Sequence, residues 1–141
     1  MDKEVRQVLC QQIEKEPFSQ KFGITLVDVQ PGFARVEMTF TSDMENMFGM
    51  AHGGAIFSLI DAAFEVASNS HGTMAVALSM NVHYLASPAK GAKLTAEAKE
   101  INKTKRTAAY DIRATDDSGN LLATCQSLVY RLDKPLPFLT E

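Results

Sequence analysis

A polar, glycine-punctuated loop runs straight into the most apolar helical stretch of the chain, and a carboxylate sits in the middle of that stretch. Residues 46–61 read Asn-Met-Phe-Gly-Met-Ala-His-Gly-Gly-Ala-Ile-Phe-Ser-Leu-Ile-Asp. From about residue 55 to residue 69 the pattern is apolar nearly all round, which marks a buried helix. Such a helix needs cover on every side. An antiparallel sheet curled around it supplies part, and a second copy of the chain is expected to supply the rest. Asp61 is then costly inside the helix unless it is paired or used.

The remaining elements follow from spacing. Val5, Val8, Leu9 and Ile13 predict an amphipathic helix over about 2–15 that ends before Pro17. Residues 24–30 are rich in β-formers, Pro31-Gly32 is a turn signal, and residues 33–41 alternate. Ala34, Val36, Met38 and Phe40 fall on one face of that strand. After Gly72 the pattern is strand throughout, at about 75–85, 93–102, 107–115 and 121–132. Asp116-Asp117-Ser118-Gly119-Asn120 is a hairpin turn, and the Pro135-Leu136-Pro137 tail is poorly suited to continue a sheet. The order is helix, two strands, one long buried helix, four strands. That is an α+β chain with a single domain over 1–141, made of the N-terminal helix, a core at about 17–132 and a short tail.

Composition excludes several classes of function. The chain has 141 residues and a net charge of −3, with no basic run longer than Lys103-Thr104-Lys105-Arg106, so nucleic acid is not an expected partner. Cys10 and Cys125 are far apart and lack metal spacing. They read as two buried thiols in a reducing cytosol. No apolar run approaches the roughly 20 residues that span a bilayer, and the N-terminus has no apolar signal region, so the expected location is cytoplasmic. The three histidines show no ligand spacing, and neither a metal nor a cofactor is expected.

What remains is the loop and its carboxylate. Backbone N–H groups at a helix N-terminus favour developing negative charge. A carboxylate plus such a seat is the minimal equipment for acyl-group hydrolysis. Ser58, Asp61, Glu65 and Ser68 fall on one helix face, so a plain solvent-facing stripe is the competing reading. Glu65 lies one turn after Asp61, close enough for the two carboxylates to perturb each other. Gly53 and Gly54 also suit a tight turn, and Asn46 a turn cap. Ser79, Asn81 and His83 share a strand face that lines a pocket or meets solvent. His71 suits the C-terminal end of the helix dipole.

The pattern Asn46, Gly49, His52-Gly53-Gly54 and Asp61, with Phe64 and Asn69 further on, resembles the hotdog-fold acyl-CoA thioesterases. It is most similar to the phenylacetate-degradation type, relatives of the 4-hydroxybenzoyl-CoA thioesterases. The resemblance covers about residues 17–131. It implies a curled antiparallel sheet wrapped around one long helix, an acyl-CoA or aryl-acyl-CoA substrate, and an assembly of at least two subunits, often a tetramer. By analogy, the Gly53 N–H is the oxyanion donor. Asp61 comes from the other subunit as nucleophile or general base, while His52 and Asn46 orient the carbonyl, the water or the loop. Gly54, Glu65, Ser79 and Asn81 are assigned to substrate, and Lys103 and Arg106 to the CoA phosphates. Glu65 departs from the family pattern, which does not require an acid there.

Two rival readings remain open. A hydratase or dehydratase of acyl thioesters needs a histidine and a carboxylate placed for proton transfer, and the His-Phe-Pro loop of acyl-carrier-protein dehydratases is absent. A non-catalytic acyl-CoA-binding protein of the same fold would not need Asp61. A serine hydrolase is excluded because there is no Gly-x-Ser-x-Gly elbow.

Overall fold

The computed structural model describes residues 1–139. Helix α1 (Lys3–Lys15) starts at Asp2, whose carboxylate accepts from the Glu4 and Val5 N–H groups at 2.9 and 3.1 Å. It buries Val5, Leu9 and Ile13, one residue per turn. Pro17 ends α1 and opens a second helix, α2 (Pro17–Phe22), closed by Gly23 in the left-handed region. This short helix is an addition to the sequence reading. Six residues are too few for a periodic signal, and proline at a first helical turn looks the same as proline at a stop.

Strands β1 (Thr25–Gln30) and β2 (Phe33–Thr39) form the expected hairpin. A 3₁₀ turn (Ser42–Met44) and the glycine loop lead into α3 (Gly53–Asn69). Four strands follow: β3 (Thr73–Tyr84), β4 (Lys93–Lys103), β5 (Thr107–Asp116) and β6 (Leu121–Pro135). They make one antiparallel sheet in the order β1-β2-β4-β5-β6-β3. Strand β6 runs further than expected. Its last residue, Pro135, pairs with Thr73 at the end of the ladder, where the missing N–H does least harm. The next residue, Leu136, donates its N–H to the Gly72 carbonyl at 3.0 Å, so the tail folds back onto the helix end.

The sheet curls around α3. One row across it is Val36, Ala96, Ala114 and Ala123, all fully buried. These small side chains let the helix lie close, and Leu59, Ile60, Ala63 and Ala67 fill the interface. Phe64 meets Tyr110 edge-on at 5.6 Å between ring centroids. The outer face of the sheet carries ion pairs such as Arg35–Glu97 and Lys93–Glu37 and is a solvated surface.

The cover of α3 differs from expectation. The chain's own sheet and N-terminal helices bury the whole helix except Gly53, Gly54, Phe57, Asp61, Glu65 and Asn69. Ser58 and Ser68, read as part of a polar stripe, are buried and return their hydroxyls to the Gly54 and Glu65 carbonyls. The helix therefore needs no second copy for its burial. The feature left unsatisfied is β3, a 12-residue strand at the sheet edge with Val76, Leu78 and Tyr84 exposed at 44%, 55% and 51%. Among the described residues, no helix is long and apolar enough to cross a membrane.

Candidate active site

The N-terminus of α3 leaves one backbone donor free. His52 caps the helix with its Nδ1 atom, which accepts the Gly54 N–H at 2.8 Å. The Ala55 and Ile56 N–H groups go to the His52 carbonyl. Among the described residues the Gly53 N–H has no acceptor. It opens into a cavity of about 410 Å³ lined by Met50, Ala51, Ile56, Tyr84 and Leu85, among others. A Cβ on Gly53 would stand 3.3 Å from Tyr84 Cζ, so a side chain at position 53 would crowd the ring. Nothing in the sequence pattern marked Tyr84. Its proximity to Gly53 exists only once β3 is laid beside the helix.

Asn46 builds the loop before the helix. Its side-chain oxygen accepts the Phe48 and Met50 N–H groups at 2.9 and 3.1 Å, and its own N–H donates to the Met50 carbonyl at 2.7 Å. Gly49 supplies the left-handed residue of this turn. The result presents Met47 and Phe48 to solvent, 92% and 76% exposed.

Asp61 lies two turns along α3 in a separate compartment of about 350 Å³, lined by Glu16, Phe18, Ser19, Ser58, Ala62 and Glu65. Burial raises its carboxyl above the ordinary value, and the Glu16 charge adds to the rise. Glu65 still reaches solvent on the helix surface, yet burial of its carboxyl and a hydrogen bond with Glu16 push it up to about 9. Ser19 Oγ donates to Glu16 Oε1 at 2.6 Å and holds Glu16 in place. Glu16 lines the Asp61 compartment and is a candidate that the sequence reading missed. It sits at the junction of α1 and α2, and no spacing rule links it to α3.

Gly53 and Asp61 are not brought together within one chain. Their cavities share no lining residue, and eight residues of helix separate them by about 12 Å along the axis.

Residues 48–123, more than half of the chain, match the family described as the Thioesterase superfamily. The chain belongs to this family. The thioesterase is 34% identical over 119 residues to the acyl-coenzyme A thioesterase PaaI of Escherichia coli, covering 84% of this chain and 85% of that protein. The solved structure of the E. coli PaaI protein superposes with a TM-score of 0.89 at 32% identity, covering 94% of this chain and 96% of that one. A 1,4-dihydroxy-2-naphthoyl-CoA hydrolase of Listeria monocytogenes is 31% identical over 106 residues, covering 73% of this chain and 85% of that protein. A Streptococcus mutans structure bound to acetyl CoA superposes at a TM-score of 0.76 with 26% identity, covering 80% of this chain and 91% of that one. The fold is the hotdog fold, and the thioesterase is a thioester hydrolase of the PaaI type.

The other expected site residues lie apart from both cavities within the chain. Ser79 and Asn81 are exposed on β3 opposite Leu128 and Gln126. Lys103 and Arg106 flank the β4–β5 turn, where Arg106 Nη1 donates to Tyr130 Oη at 3.2 Å. Tyr130 pairs with Val76, so this turn lies at the opposite end of β3 from Tyr84, roughly 26 Å away at about 3.3 Å per residue. Gly54 gives its N–H to His52 and has no free donor for a ligand. His71, expected only to suit the helix dipole, bonds to Glu100 Oε2 at 2.7 Å, and Tyr110 donates to the same oxygen at 2.8 Å. Burial pushes Glu100 up, but the His71 and Tyr110 bonds prevail and hold it below the ordinary value. This cluster ties the end of α3 to the sheet.

Proposed function

We propose that the thioesterase hydrolyses acyl-CoA thioesters in a homo-oligomer, with Asp61 of one subunit and the Gly53 N–H of its partner on either side of the thioester carbonyl. The observation that carries this reading is the unpaired Gly53 N–H, separated from Asp61 within the chain. The exposed apolar edge of β3 supports it, since a long free edge is a ready template for pairing. Two β3 strands paired antiparallel would run the α3 helices in opposite directions and bring the start of one towards the middle of the other. The same pairing would bring the basic turn of one chain towards the Tyr84 end of the other, which suits Lys103 and Arg106 to the CoA phosphates.

In this mechanism the Gly53 N–H holds the carbonyl oxygen as it gains negative charge. Water attacks the carbonyl carbon with Asp61 as general base, or Asp61 attacks first and water cleaves the resulting anhydride. The C–S bond breaks in either case, and CoA leaves as the thiol. The raised Asp61 carboxyl is a better proton acceptor than an exposed one. His52 holds the turn so that Gly53 remains free, and Asn46 holds the loop. The chemistry needs no cofactor beyond the CoA of the substrate. The test is release of free thiol from a panel of acyl-CoAs, with sedimentation at micromolar concentration. The expected result is turnover by a species of at least twice the 15.5 kDa chain mass. A fully active monomer would overturn the shared site.

A further inference from the structure

Two neighbouring spaces lie along the open stripe of α3. One is the compartment that holds Asp61, Glu16 and Glu65. Glu16 and Glu65 also line a larger chamber of about 420 Å³, so the two spaces share a wall. The chamber lies between α1, the second half of α3, the start of β3 and the folded-back tail. Its apolar lining includes Leu9, Ile13, Val66, Met74, Leu136 and Phe138. The space is open to solvent on one side, and a largely apolar groove of this size suits an apolar ligand.

We infer that this chamber seats the acyl group of the thioester and selects apolar chains of medium length. The inference rests on Asp61 standing at the reacting carbonyl, as proposed above. Asp61 and Asn69 both lie on the open stripe, about 12 Å apart along the helix, which an extended chain of about ten bonds would span. The acyl chain would run from Asp61 past the Glu16–Glu65 gate, with its end against Met74 and Leu136. Burial first and Glu16 second favour the protonated, uncharged form of Glu65, which lowers the cost of laying an apolar chain against it. The tail forms the far wall. Leu136 is buried and anchored to Gly72, and Phe138 hangs at the rim, 40% exposed.

The test uses the full chain, a straight-chain series from acetyl-CoA to decanoyl-CoA, and a non-hydrolysable decanoyl-CoA thioether as binding probe. Gln12→Trp fills the chamber from the half-buried face of α1, and Phe138→Ala opens its rim. The wild type is expected to favour octanoyl and decanoyl over acetyl. Gln12→Trp should lower the decanoyl-to-acetyl ratio in kcat/KM, and the affinity for the thioether, by about tenfold or more. Phe138→Ala should move the preference towards longer chains. If thioesters are cleaved but neither variant changes the chain-length profile, the chamber is not the acyl site. If nothing is cleaved, yet the thioether binds and Gln12→Trp weakens it, the chamber stands and the hydrolytic reading falls. If the thioether does not bind the wild type, the chamber falls. Should Gln12→Trp fail to fold, Phe138→Ala decides, because Phe138 lies outside the core.

Discussion

Asp61 has no cationic partner among the described residues and shares its compartment with Glu16 and Glu65. Its ionisation is therefore displaced upward, by burial first and by the Glu16 charge second. Activity that needs the carboxylate will rise with pH through a value above the ordinary 3.8. Glu16→Gln removes the smaller of the two causes, so the acid limb of kcat/KM should move to lower pH without vanishing. Asp61→Asn should lower turnover by roughly 10²–10⁴-fold, the usual scale for losing an acid–base group, while a thioether analogue still binds. Near-normal turnover in the Asn variant would remove Asp61 from the chemistry.

Glu65 gives a stability prediction of opposite sign to the usual carboxylate. Its folded-state carboxyl is raised from 4.5 to about 9, so the native state holds a proton that the unfolded chain has already released. Its contribution is complete below the unfolded value and is lost as pH rises through that window. Glu65→Gln keeps the shape and removes the titration. The variant should gain melting temperature relative to wild type between about pH 5 and about pH 8.5. A constant difference across that range would mean that Glu65 is not held protonated.

At the scale of elements, the start of α3 is the part that matters most. The imidazole of His52 takes the Gly54 N–H and leaves that of Gly53 unclaimed. His52→Ala should cost about 1 kcal/mol as a lost cap and also reduce turnover, because the turn that aims Gly53 loosens. Asn is a good N-cap, so His52→Asn should restore most of both the melting temperature and the rate. An Asn variant that is stable yet as slow as the Ala variant would give the imidazole a chemical role beyond capping. At the other end of α3, Asn69 accepts the Ala75 N–H at 2.9 Å and joins the helix directly to β3. The strand that offers the free edge is thus tied to the helix that carries the carboxylate.

For the whole molecule, the shared-site proposal predicts complementation. Asp61→Asn and Gly53→Val each disable a different half of the site. Gly53→Val acts by crowding Tyr84 and displacing the donor, and losing an oxyanion donor costs about 10²-fold or more. When the two inactive proteins are unfolded together and refolded, each mixed dimer holds one site with both halves intact. Random pairing should restore about a quarter of wild-type activity, since half of the dimers are mixed and each has one good site of two. No recovery, with mixed dimers demonstrated by mass, would place both residues in one chain's site.

The helix with its embedded carboxylate, the succession of elements along the chain and the β1–β2 and β5–β6 turns could be read from the chain alone. Each rests on local periodicity or on turn chemistry carried by neighbouring residues, such as Asp116 accepting from Ser118 and Asn120. Asn46, His52, Gly53 and Asp61 stood out as candidates because they lie close together in one loop and the helix that follows it. Only the tertiary structure decided what surrounds them. Glu16 reaches Glu65 because α2 turns the chain back onto α3. Tyr84 covers Gly53 because β3 lies beside it, and His71 finds Glu100 because the sheet curls. Ser58 and Ser68 entered the interior because a buried hydroxyl can donate to its own helix's carbonyls, which no polar-stripe pattern distinguishes from solvation. Contacts between residues distant in the chain depend on how the elements pack, and periodicity within an element carries no information about its neighbour's side chains.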